Sequence, residues 1–366
     1  MSTGIVPVVE RMNREQFYTA MSGLDSDRLR KALWTLYWRS AAPVRERIEA
    51  ELAPEPARPR TGVASVKVDP DEVLRQVREF VALARAGSYL AGDRRVSPRE
   101  RTSWRFTFRR LVGAARQSLQ ADDIRPGVAA TSAMIDLACG ARDSEYFRSD
   151  DPIEAAGVVV SDEVSVLWQR MRQVNGFPAF AAEAAPQFVR WESPYGWTRS
   201  GYGRVSEKET SLTTVLVGML SAPDAWTTFT TCYLTALDHQ AATTSTRHTA
   251  SWDSNNYRLA ERARTMAGWH VLLLDRLAGS DDEALLDRIG DSPGLGGPEV
   301  TFFQAQLAHR RGDDETARGL VTDVLTKLPG HHACLQFAQD IAAPLPPQAR
   351  RIAEERAKAE KLIAGT

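Results

Sequence analysis

Charge of one sign is what this chain most plainly lacks. Its 46 lysines and arginines meet 47 aspartates and glutamates, for a formal net charge of −1 at pH 7. A balanced chain carries no global basic field for nucleic acid and no acidic excess that would keep it unfolded. Cysteine is scarce: Cys139, Cys232 and Cys334 lie far apart, with no C-x-x-C pair. Three scattered thiols suit a reducing cytosol, where they act as small apolar residues. No stretch approaches the 18 or so uninterrupted apolar residues of a membrane span. The opening segment shows no basic-then-apolar signal pattern. A cytoplasmic location with no membrane partner is the expectation.

Signature motifs are missing too. There is no Walker A loop to cradle phosphates and no G-x-S-x-G elbow to present a nucleophile. "GYGRVS" (201–206) begins like a dinucleotide loop, but Ser206 replaces the last glycine and no apolar strand leads into it. Six histidines are present: His239, His248, His270, His309, His331 and His332. Only "HHAC" (331–334) groups imidazoles with a thiol, the ligand types zinc prefers. No second pair completes a tetrahedral set, and adjacent helical positions point in different directions. His331, His332 and Cys334 are therefore read as a helix start after the Pro329–Gly330 break, with no metal and no cofactor expected.

What is present is helix. At 366 residues and 43% hydrophobic, the chain has enough for two domains or one extended helical array. "DPDE" (69–72), "SPRE" (97–100) and "DPIE" (151–154) each place a capping Asp or Ser before a proline, with Glu three residues after the cap. That pattern predicts three helix starts with capping boxes. After them apolar residues recur at spacings of three and four, as in Val73, Val77, Phe80 and Val81, or Trp104, Phe108, Leu111 and Val112. Further helices are expected near 26–39, 43–52, 126–140, 153–174, 178–190, 207–220, 224–240, 255–278, 298–311, 314–328, 331–342 and 346–363. The fold class is all-α, an array of helical hairpins.

The organisation follows from the breaks. Residues 1–52 read as a short N-terminal helical segment, and 53–66, with three prolines, as a linker. Residues 67–345 form the main helical domain, and 346–366 a charged terminal helix. Within the main domain, 241–256 is rich in Ser, Thr and Asn and reads as a flexible loop. Residues 190–206 read as an ordered one: Trp191, Tyr195, Trp197 and Tyr202 stand among three glycines and Arg199. A disordered segment would not carry four large rings. The rings either pin the loop onto the protein's own helices or line a recognition surface. "SEKET" is expected to restart a helix at Ser206, with Ser206 and Glu209 as a capping box.

One electrostatic feature survives the overall balance. Seven arginines fall within 94–110, and Arg101, Arg105 and Arg109 are spaced by four, forming a basic stripe along one helix. Such a stripe suits phosphates or an acidic partner, because guanidinium pairs bidentately with both. It is equally a solvated face whose charges neighbouring helices meet.

Residues 301–334 resemble one tetratricopeptide repeat, a helix–turn–helix of about 34 residues. Ala308 and Ala317 stand where that motif needs small side chains, Gly312 at its turn and Pro329 at its end; Gln304 departs from the usual leucine. The resemblance implies a helical hairpin stacked on its neighbours, often within a protein-binding surface. Binding is thus the leading expectation: an adaptor whose partner is another protein, met through Trp191, Tyr195, Trp197, Arg199, Tyr202, Arg101, Arg105 and Arg109. The alternatives are an enzyme with a dispersed site near Asp238, His239 and the 190–206 loop, and nucleic-acid binding through the arginine stripe.

Overall fold

The computed structural model describes residues 23–40, 68–90, 95–246 and 252–364, with a few isolated positions between 19 and 48. The linker at 53–66, most of the helix expected at 43–52, and Arg94 lie outside them. Among the described residues the chain is all-α, and its one β-type contact is an isolated bridge between Tyr89 and Phe147. The first helices are α1 (Ser26–Arg39), α2 (Pro70–Arg85), α3 (Pro98–Ser118), α4 (Arg125–Asp143), α5 (Pro152–Ala156), α6 (Val160–Asn175) and α7 (Phe177–Trp191). There follow α8 (Leu212–Val217), α9 (Pro223–Thr246), α10 (Trp252–Thr265), α11 (Ala267–Leu277) and α12 (Ala284–Gly290). The chain closes with α13 (Pro298–Arg310), α14 (Asp314–Lys327), α15 (His332–Asp340) and α16 (Pro347–Ala364).

The three expected cap sites all start helices, but only one is a full capping box. Ser97 accepts from the Glu100 amide while the Glu100 carboxylate accepts from the Ser97 amide at 2.9 Å. Asp69 and Asp151 cap α2 and α5, but their glutamates have other partners: Glu72 takes Arg75, and Glu154 takes the amides of Val205 and Ser206. The helix expected over 153–174 is two. Gly157, at φ 66, ends α5 in the left-handed region and α6 begins at Val160. Of the Ser/Thr/Asn-rich stretch expected to be a flexible loop, 241–246 end α9 and 252–256 begin α10, while 247–251 lie outside the described residues.

Helix α4 is the hub of the main core, packing against α2, α3, α6 and α7. Its small residues allow this. A Cβ at Gly127 would lie 2.7 Å from the Ser118 backbone, so α3 and α4 approach more closely there than any side chain permits. Around the hub, Trp104 stacks on Phe147 at 4.1 Å between ring centres. A second aromatic group joins α7, α9 and α11: Phe188 meets Trp269 edge-on at 5.5 Å, and Trp269 stacks on Trp226 at 5.7 Å. The C-terminal helices carry their own smaller core of Phe302, Ala305, Ala317, Val321, Leu325, Leu335 and Ala338.

From α11 onward, α11 pairs with α12 and α13 with α14 as helical hairpins. Helix α13 packs on both α11 and α12, and α14 on both α15 and α16. The hairpin expected at 301–334 is α13/α14: Gly312 turns it at φ 80, Asp313 caps α14, and Ala317 is fully buried. Helix lengths of 11 and 7, 13 and 14, then 9 and 18 residues give these helices no common period.

Candidate functional site

The aromatic loop divides its rings. Trp191 and Trp197 are each 1% exposed, whereas Tyr195 and Tyr202 are 73% and 61% exposed. The Trp191 indole donates to Asp136 Oδ1 at 2.7 Å, and the Trp197 indole donates to the Trp191 carbonyl at 3.1 Å. Arg199 does not face outward. Its guanidinium donates to the carbonyls of Ala141, Arg142 and Ser144 at 2.8–3.1 Å, closing the C-terminal end of α4. That is where unpaired carbonyls and the negative end of the helix dipole favour a cation.

Carboxylates fasten the rest of the loop. Asp151 accepts from the amide and hydroxyl of Ser200, at 3.0 and 2.8 Å. Gly203 lies so close to Glu154 that a Cβ would stand 2.5 Å from its carboxyl carbon. The second glycine of "GYGRVS" is therefore taken up by a carboxylate of this chain. Glu209 was expected to complete a box with Ser206. It instead caps a different helix, accepting from the Val160 and Ser161 amides at 2.7 and 3.0 Å. Residues Ser206–Lys208 form only a 3-10 turn, and Ser211 caps α8. Glu192, buried, accepts from the Thr213 amide and hydroxyl at 2.7 and 3.0 Å. Burial holds the carboxyls of both Glu192 and Glu209 above the usual range.

The arginine stripe is likewise divided. Arg109 turns inward and donates from Nε to the Ala156 carbonyl at 2.8 Å, capping α5. Arg105 donates to the Thr102 carbonyl at 3.2 Å and covers the exposed Phe106 ring at 4.8 Å. Arg101 remains partly exposed, and Arg110 donates to Gln76 at 3.2 Å. The three i+4 positions thus present two partly exposed cations and one structural cap.

Four histidines, His270, His309, His331 and His332, have partners within the chain, and His248 lies outside the described residues. His331 caps α15 by accepting from the Cys334 amide at 3.1 Å, and its Nε2 lies 3.0 Å from Glu299. His332 meets Arg356, and Cys334 is buried in the small C-terminal core. Among the described residues no group of three or more His, Cys, Asp or Glu is arranged to hold a metal ion. Asp238 and His239 are both exposed on α9, and Asp238 pairs with Arg288 at 3.6 Å. His270 is buried and shares a 2.8 Å hydrogen bond with the Tyr233 hydroxyl. Burial pushes its imidazole down to about 3, so it is neutral in the folded protein.

One groove is lined by residues the sequence reading did not single out. It has a volume of about 460 Å³ and lies between α11, α13 and α15. Val271 and Leu274 line it from α11, Gln306, His309 and Arg310 from α13, and Phe337 from α15. The Phe337 ring closes it against His309, edge-on at 5.5 Å between ring centres. His309 shares a 2.6 Å hydrogen bond with Asp314, and Arg310 pairs with Asp275, so a carboxylate meets each of these side chains at the edge of an apolar floor. The sequence signal was the surplus of apolar residues in "VLLL" (271–274), one more than the buried face of α11 consumes: Val271 is 42% exposed.

No family model matches the chain, and no curated protein or solved structure matches it.

Proposed function

We propose that this protein is an interaction scaffold that receives a segment of a partner protein in the groove between α11, α13 and α15. The observation that carries this reading is the groove itself, walled by α11, α13 and α15 and floored by Val271, Leu274 and Phe337. Stacked hairpins join their first helices into one continuous face, the usual binding surface of helical-hairpin arrays. The apolar floor fits one aliphatic or aromatic anchor of the incoming segment. His309, Arg310 and Gln306 along the rim supply hydrogen bonds to its backbone or polar side chains. The inward placement of Trp191, Trp197, Arg199 and Arg109 removes them from the binding surface and assigns them to holding the scaffold.

The test is a matched capture from host lysate with the full chain and with a Val271→Asp, Phe337→Asp variant, read by quantitative mass spectrometry. Val271 is exposed but Phe337 also packs on Phe302, so a Val271→Asp single variant, whose unfolding midpoint should match the parent, is captured alongside to separate lost binding from lost stability. A protein retained by the parent and depleted at least ten-fold by the variant supports the groove. A partner bound equally by both places the interface elsewhere.

A further inference from the structure

Helix α1 buries none of its residues. Its start is well made: Asp25 accepts from the amides of Asp27 and Arg28 at 3.1 and 2.8 Å. It is therefore a capped helix that leaves its large apolar side chains in water, with Trp34 61% and Trp38 70% exposed and Leu33 and Leu36 also exposed.

The helical period sorts its side chains into three rows. Leu29, Leu33, Leu36 and Tyr37 make one. Beside it Arg30, Trp34 and Trp38 follow at i+4 spacing, and the two indoles stack at 5.9 Å. Arg28, Lys31, Thr35 and Arg39 occupy the remaining face. At 3.6 residues per turn the leucine and tryptophan rows together span about 200° of the circumference, twice the roughly 100° stripe of a helix built to face a protein core. The third row has no acidic member. The acids of this region, Asp25 and Asp27, sit at the N-terminal end, where they approach Arg28 and Arg30 at 4.0 and 3.2 Å. Lys31, near the middle of the helix, and Arg39, at its end, thus leave this face with positive charge.

We propose that α1 is an interfacial anchor that lies along an anionic lipid surface. A protein groove or a second copy of this chain would cover one apolar row and leave the other wet; two copies would also oppose like charges. A bilayer interface accepts both rows at once. The leucines reach the acyl boundary, and the indoles rest at headgroup depth, where an apolar ring with one N–H donor is favoured. Lys31 and Arg39 flank the immersed arc and extend their stems to the anionic headgroups. The association is peripheral, since no described helix is long and apolar enough to cross a membrane. It is independent of the groove.

The experiment is co-sedimentation of the full chain with vesicles of phosphatidylcholine alone and with added phosphatidylglycerol, alongside sedimentation velocity without lipid. The expected result is at least ten-fold stronger retention on the anionic vesicles. That retention should fall ten-fold or more in Trp34→Ser, Trp38→Ser and in Lys31→Glu, Arg39→Glu. All four side chains are exposed, so circular dichroism and the unfolding midpoint should match the parent and exclude misfolding as the cause. Absence of retention on anionic vesicles overturns the proposal, as does retention that the tryptophan variant leaves unchanged. A dimer abolished by Trp34→Ser, Trp38→Ser, with no vesicle binding, also overturns it and assigns the rows to a second copy.

Discussion

Residue by residue, the side chains that looked most available for chemistry are mostly spent on the backbone. Arg199 and Arg109 close helix C-termini, Glu209 opens a helix N-terminus, and His331 caps another. Sequence shows the type of such a group but not its direction, because each partner lies far along the chain; Arg199 and Ala141 are 58 positions apart. His270 yields a prediction at this scale. Its folded-state pKa is depressed to about 3, whereas the unfolded chain takes up the proton near the ordinary value of 6.5. The stability it contributes is therefore complete above pH 6.5 and is lost as pH falls from there toward 3, at up to about 1.4 kcal/mol per pH unit. Urea midpoints of the parent and of His270→Gln should differ most at pH 7 and converge by pH 4. A gap that stays constant would refute the assignment.

At the scale of elements, capping grammar was legible and helix continuity was not. "SPRE" predicts its box correctly because all four residues act within one turn. "DPIE" predicts the start of α5 but not its end, since Gly157 stops the helix after five residues and the Arg109 guanidinium occupies the space beside it. Two substitutions separate these effects by thermal unfolding. Ser97→Ala removes one cap and should cost about 1 kcal/mol. Gly157→Ala should cost more. The left-handed conformation alone is worth about 1–2 kcal/mol, and the new methyl would stand 2.7 Å from Arg109 Nη2. Equal losses would mean that Gly157 is not held at φ 66 in solution.

For the molecule as a whole, the presence of two hydrophobic cores predicts uneven stability. The main core gathers aromatic residues from α2 through α11, whereas α14 and α15 rest on a small cluster of alanine, valine and leucine with Phe302. Native-state hydrogen exchange should find the amides of α14 and α15 opening at lower free energy than those of α4 and α7. Val321→Ala should lower the first and leave the second unchanged. A single opening energy throughout would show that α13, which faces both cores, couples them into one cooperative unit.

Sequence by itself determined the all-α class, the helix starts and the hairpin at α13/α14, because periodicity, caps and turn glycines act over three to ten residues. It also carried the amphipathic rows of α1, which are a property of one helix alone. Tertiary structure alone decided that Trp191 and Trp197 turn inward while Tyr195 and Tyr202 turn out, that the arginine stripe loses Arg109 to a carbonyl 47 residues away, and that Val271, His309 and Phe337 share a groove. The physical reason is range. Local energies choose the element, but which face of it meets water depends on the helices that pack against it, and those come from distant parts of the chain.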